Sequence, residues 1–171
     1  MANIETETCW DKLYSEVNAW RGECMHHIAA AEKAVTETLL LLDGVKPDGA
    51  KIKLRHLIGQ RFEDLSAATG PDGPFAEAGE AAHKAIENYR QHEAFRTLLC
   101  HGVAQVTATR SGAWVLVIRS LSIRARQAEE TTAVFEKDDA EKKLAQLKSD
   151  GQKLASNLGQ LRKKLQAKIP N

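Results

Sequence analysis

Arg96 and His101 stand five residues apart in the run Phe95-Arg96-Thr97-Leu98-Leu99-Cys100-His101-Gly102. An imidazole, with an ordinary pKa of ~6.5, takes up and releases protons near neutrality. A guanidinium grips a phosphate with a two-pronged fork and stabilises charge growing on phosphoryl oxygens. RNA carries its own nucleophile, the 2′-hydroxyl, so a pair of this kind has the chemistry to cleave RNA without a metal. Gly102 marks the end of the helix that carries the pair. A helix C-terminus is the negative end of the dipole and suits a cationic side chain. The competing reading is structural, with Arg96 and His101 bonded to the last carbonyls of that helix or to acids such as Glu93.

Other residues are weighed against this pair. His92, one turn before Arg96, is a candidate helper, as are Glu93 and Thr97. Arg21 and His26 repeat the spacing, but they sit inside a long helical pattern with no break after His26, so they are set aside. His26 and His27 are neighbours and point to different helix faces, which disfavours a metal site. Cys100 beside His101 hints at a thiol nucleophile, but adjacent side chains do not readily face each other and no third orienting group is evident. The cysteines Cys9, Cys24 and Cys100 form no CxxC pair, so neither a zinc site nor a disulfide framework is signalled. A GxxxxGK[ST] loop and a carboxylate pair for magnesium are both missing from the sequence. No cofactor and no metal are expected.

The elements that must position the pair read as mainly helical. Trp10, Leu13, Val17, Trp20, Cys24, Ile28, Ala31, Val35, Leu39 and Leu42 recur at steps of three and four, which predicts one long helix over 8–42, capped by Thr8. Asp43 to Gly49, with Pro47, ends it. A second helix is expected over 50–68, with Leu54, Leu57, Ile58, Phe62, Leu65 and Ala68 on its buried face. A third is expected over 74–100, with Phe75, Ala78, Ala82, Ile86, Tyr89 and Leu99 inward. Its small residues call for close packing against a neighbour. The period then changes to two. Val103–Thr109 and Ala113–Leu121 flank Arg110-Ser111-Gly112 and predict a β-hairpin over 103–121. A final helix is expected over 129–169, where Ala140, Leu144, Leu147, Gly151, Leu154, Leu158, Leu161, Leu165 and Ile169 keep heptad spacing.

The 171 residues fit a single domain, 1–171, large enough to bury a core. Apolar residues make up 43% and charged residues 27%, which reads as globular rather than disordered. The net charge is only +1, so any contact with nucleic acid must come from a local patch. Charge is uneven along the chain: from Lys142 onward eight basic residues face one acid, while in the first fifty residues nine acids face four bases. Lys142, Lys143, Arg110 and Arg119 are the cations proposed to hold an RNA backbone, whose contacts are largely electrostatic. The start, MANIETETCW, is polar and lacks a basic stretch followed by an apolar run, so no signal peptide is expected. No apolar run reaches the ~20 residues of a bilayer span. A cytoplasmic protein is expected.

Arg96-Thr97-Leu98-Leu99-Cys100-His101-Gly102 resembles the R-x4–6-H motif of the HEPN family, whose common local form reads RN-x-x-x-HG. The order of elements is similar too, over most of the chain: a long helix, a second helix, a third closing on the motif, a hairpin with a tryptophan, and a last helix. The resemblance implies a HEPN-like bundle of four helices with a β-hairpin inserted before the C-terminal helix. It implies a homodimer that brings two motifs together. It further implies a metal-independent endoribonuclease of a toxin–antitoxin or phage-defence system, restrained by an antitoxin or regulatory protein, with Arg96 and His101 as the catalytic pair. Thr97 departs from the family, which often has Asn, Asp or His after the arginine; a hydroxyl hydrogen-bonds but does not titrate near neutrality. The alternative implied by that departure is a non-catalytic HEPN-like dimer that serves interaction or regulation.

Overall fold

The computed structural model describes residues 9–167. Thr8, the expected cap, and Ile169, the last expected heptad position, lie outside the described residues. The chain is mainly helical, with a three-stranded antiparallel sheet inserted before a long final helix. In order, the elements are α1 (Cys9–Val45), α2 (Ile58–Thr69), α3 (Ala76–Tyr89), a 3-10 turn (Arg90–His92), α4 (Glu93–His101), β1 (Val103–Ala108), β2 (Trp114–Arg124), β3 (Gln127–Glu136) and α5 (Lys137–Gln166). They fall into two compact units, one of Met1–Met25 with Ala94–Gln146, the other of His26–Glu93 with Leu147–Asn171.

In the first unit the core gathers around Trp20. Its ring lies 6.1 Å from Phe95, 6.0 Å from Trp114 and 5.6 Å from Phe135, all tilted. The sheet runs β1-β2-β3. Val106, Leu116 and Phe135 are register partners across it, as are Ala104, Ile118 and Ala133. Alternate residues point to opposite faces of a strand, so these form the inward face, on which Trp114, Leu116 and Ile118 are fully covered. The hairpin expected around Arg110-Ser111-Gly112 forms, with Thr109 N donating to Ala113 O and Gly112 at φ +84°. Of the apolar stripe of α1, Leu13, Val17, Trp20 and Cys24 are buried, but Trp10 is half exposed.

In the second unit the rest of α1, the pair α2 and α3, and the leucine stripe of α5 enclose Leu39, Leu42, Leu65, Ile86, Leu147, Leu154, Leu158 and Leu161. The close packing expected of the small residues is seen at Gly79, where an added Cβ would sit 2.8 Å from Thr69 Cβ.

Three boundaries differ from the sequence reading. The hairpin has a third strand, because residues 129–136, expected as helix, pair with β2 along its length. Thr131, Thr132, Val134 and Phe135 are β-branched or aromatic and suit a strand. The third helix is interrupted by the 3-10 turn at Arg90–His92. The second helix begins at Ile58, not at residue 50. Its expected first turns are replaced by a segment tied down through Arg55, which donates from Nε to Asp64 Oδ1 at 2.8 Å and from its backbone N–H to Oδ2 at 3.2 Å. Asp64 is buried, and a buried carboxylate needs such a partner. Leu54 and Leu57, expected on the buried face, are exposed as a result.

Candidate functional site

Helix α4 carries the motif and is amphipathic. Phe95, Leu98 and Leu99 are buried, Thr97, Cys100 and His101 are exposed, and Arg96 is half-buried at the border. Helical geometry sets the relation between the two motif residues. Five residues correspond to about 140° of rotation and ~7.5 Å of rise, so Arg96 and His101 do not share a face. The residues that share a face at four-residue spacing are Thr97 with His101 and Arg96 with Cys100. His101 is therefore exposed on the face of α4 that also carries Thr97, while Arg96 leaves the helix about 140° around its axis.

The helix stops at His101 for a steric reason. Gly102 N donates to Leu98 O at 2.8 Å and closes the last turn. A Cβ at Gly102 would lie 2.6 Å from Leu98 O and would collide with Ile118 Cγ2 on β2. Glycine thus permits α4 to run directly into β1 against the sheet, which fixes where His101 emerges.

One residue set aside on sequence grounds comes to this end of α4. Arg21, on α1, donates from Nη2 to Leu99 O at 3.4 Å. Beside it, Cys100 Sγ lies 4.0 Å from Met25 Sδ. The signal for Arg21 was present in its place: it immediately follows Trp20, a core position, so it borders the packed stripe of α1.

The other candidates are dispersed. His92 belongs to the second unit, where it is buried, with Nε2 3.0 Å from Asp150 Oδ2 and its ring 5.2 Å from Tyr89. Glu93 closes that unit and accepts a hydrogen bond from Arg90 Nε at 3.0 Å. Arg110 is exposed in the β1–β2 turn, roughly 20 Å of strand beyond Val103 at ~3.4 Å per residue. Lys142 is exposed and bonded to Asp139 at 3.2 Å. Lys143 is half-buried, its Nζ 5.2 Å from the centre of the Phe95 ring, a cation–π contact. Arg119 pairs in register with Val103, two residues past His101, and donates to Gln105 Oε1 at 3.2 Å.

The thiols differ in use. Cys24 is buried in the first unit, and burial pushes its thiol up to about 12, so it is inert at neutral pH. Cys9 and Cys100 are exposed. Among the described residues, no group of three His, Cys, Asp or Glu could hold a metal ion. None of the described helices is long and apolar enough to cross a membrane. No family model, no curated protein and no solved structure matches this chain.

Proposed function

We propose that the chain is a HEPN-like, metal-independent endoribonuclease that works as a cytoplasmic homodimer. The observation that carries this reading is an exposed histidine at a helix end, His101, with the guanidinium of Arg21 bonded two residues back along the chain at Leu99 O. A solvent-facing imidazole can reach a substrate, and a nearby guanidinium can hold a phosphate. The 2′-oxygen of RNA attacks the adjacent phosphorus, the 5′-oxygen leaves, and a cyclic phosphate results. One proton must leave the 2′-hydroxyl and one must reach the 5′-oxygen. His101 transfers one of them; in a dimer a second His101 is available for the other. Arg96 supplies charge to the phosphoryl oxygens. Because Arg96 and His101 do not share a face of α4, one α4 alone does not close both on the same phosphate, and a second copy supplies the missing side. Lys142, Lys143, Arg110 and Arg119 are the proposed backbone contacts, and an antitoxin or regulatory protein is the proposed restraint on the enzyme.

The second reading is a non-catalytic interaction module of the same fold. The separation of Arg96 from His101 around α4 favours it.

The test is incubation of a labelled RNA pool in EDTA with wild type, His101→Ala, Arg96→Ala and Arg21→Ala. The expected result is cleavage by wild type, its loss in the His101 and Arg96 variants, and weaker cleavage with Arg21→Ala. Equal cleavage by wild type and His101→Ala would sink the site. An inert wild type would leave the interaction module standing.

A further inference from the structure

The outward face of the sheet has the wrong polarity for solvent. The inward face, with Trp114, Leu116 and Ile118, is covered by the first unit's own core. The opposite face presents Val103, Val115, Val117, Leu121, Ile123 and Val134 by strand alternation. Four of these are widely open: Val103 is 75% exposed, Leu121 74%, Ile123 82% and Val134 60%.

The feature is most pronounced where β2 and β3 outrun β1. Strand β1 ends its pairing at Arg119, but the β2–β3 ladder continues to Arg124 and Gln127. This arm is a two-stranded ribbon, which is marginal in water without a covered face. Its side continuous with the core carries Ser120 and Ser122, while its side continuous with the outer face carries Leu121 and Ile123. The ribbon is amphipathic with its apolar side turned away from its own core. A two-residue turn, with Ala125 at φ 49° and Arg126 at φ 67°, holds this register although neither residue is glycine. Left-handed backbone costs such residues roughly 1–2 kcal/mol each.

We propose that this face is where a second copy of the chain docks, sheet upon sheet, with the two arms crossing the contact. Two observations favour a second copy. The first is area: strands of six, eleven and ten residues, ~4.8 Å apart at ~3.4 Å per residue, give roughly 440 Å² per copy. Two copies then cover about 900 Å², the size of a weak, reversible contact. The second is charge. Among the apolar residues the face carries Arg119, Glu130 and Glu136, so two copies related by a two-fold can set the guanidinium of each against carboxylates of the other. Two carboxylates beside a single arginine match an anionic lipid surface or a nucleic acid poorly. The face begins at Val103, two residues from His101, so the docked copy lies at the edge of the candidate site. In this arrangement Arg119 serves the contact between copies instead of an RNA backbone, and the substrate is left to Arg96 and Arg21 with Lys142, Lys143 and Arg110. The inference takes from the nuclease reading only its expectation of a dimer, and it is tested without RNA.

The experiment is sedimentation of the full chain over a wide concentration range, for wild type and for the double variant Leu121→Glu/Ile123→Glu, with circular dichroism of both. The expected result is a concentration-dependent dimer for wild type. The variant should keep its helical signal and dimerise more weakly by roughly two orders of magnitude, because it sets two carboxylates in an apolar contact. Val134→Lys, placed on the three-stranded part, is the second variant should the first misfold, and it should weaken the dimer in the same direction. A wild type that dimerises while both variants dimerise equally well overturns the docking face and leaves the homodimer intact. A wild type that stays monomeric overturns the inference, whether or not it binds vesicles of neutral phosphatidylcholine, and RNA cleavage by that monomer would keep the nuclease activity while removing the homodimer from it.

Discussion

The indole N–H of Trp20 donates to the carbonyl of Ala140 at 2.8 Å, a buried bond between residues 120 positions apart. It joins α1 to the first turns of α5 within the unit that holds α4 and the sheet. The same ring lies against Phe95 on α4, Trp114 on β2 and Phe135 on β3. One side chain thus ties α1 to α4, β2, β3 and α5. Replacing it with alanine should cost about 3–5 kcal/mol, as for other buried aromatics. Trp20→Phe keeps most of the packing and should lose about 1–2 kcal/mol through the missing donor. Urea denaturation of the three proteins checks the order; equal midpoints for wild type and Trp20→Phe would show that the bond contributes nothing.

Tyr89 offers a change in the opposite direction. Its ring is buried and stacked at 5.8 Å on Phe62, yet its hydroxyl has no hydrogen-bond partner among the described residues. Burial also raises the phenol above its ordinary range. Removing an unsatisfied buried hydroxyl recovers its desolvation penalty, roughly 1 kcal/mol or more. Tyr89→Phe should therefore raise the thermal midpoint. A lower midpoint would mean that the hydroxyl is satisfied in solution.

Gly102 is needed for lack of space rather than for backbone freedom. A methyl group there meets Leu98 O and Ile118 Cγ2. Gly102→Ala should destabilise by about 1–3 kcal/mol, the usual cost of overpacking. It should also shift the amide resonances of His101 and Val103 more than those of α2, measured by two-dimensional NMR. Unchanged resonances at His101 would separate that glycine from the site.

Glu87 links acid to local stability in the second unit. Ser66 Oγ donates to Glu87 Oε1 at 2.6 Å and lies 3.2 Å from His83 Nδ1. The Ser66 hydroxyl, followed by Arg90, holds the Glu87 carboxyl below its ordinary value of 4.5. A carboxyl lowered on folding adds stability in full above its unfolded pKa, and that stability disappears as pH falls through the lowered folded value. Ser66→Ala should move the Glu87 titration up, toward the ordinary value, as followed by carboxyl carbon NMR, and should flatten the acid side of the stability curve. A titration that does not move would assign the depression to Arg90.

The site was legible in part. The identities of Arg96 and His101, the helix that carries them and the glycine that ends it can all be read from the sequence, because helix signals are local. Their disposition around α4 follows only once the helix is known to run unbroken to His101. Spacing picked out Arg21 with His26, but its place at the end of α4 depends on α1 lying beside that helix in the folded unit.

What the sequence by itself determined is the set of elements whose hydrogen bonds close within a few residues: the long α1, the apolar stripe of α5 from Ala140 to Leu165, and the turn at Arg110-Ser111-Gly112. What only the tertiary structure decided depends on remote partners. Gln127–Glu136 is a strand because β2 offers it a ladder, and local composition alone left it readable as helix. The stretch before Ile58 leaves the helix because Arg55 finds the buried Asp64. Gly102 is required by Ile118, sixteen positions ahead in the chain. A helical hydrogen bond spans four residues, so sequence periodicity records it; a strand pair, a buried ion pair or a steric limit is set by residues brought together only in the fold.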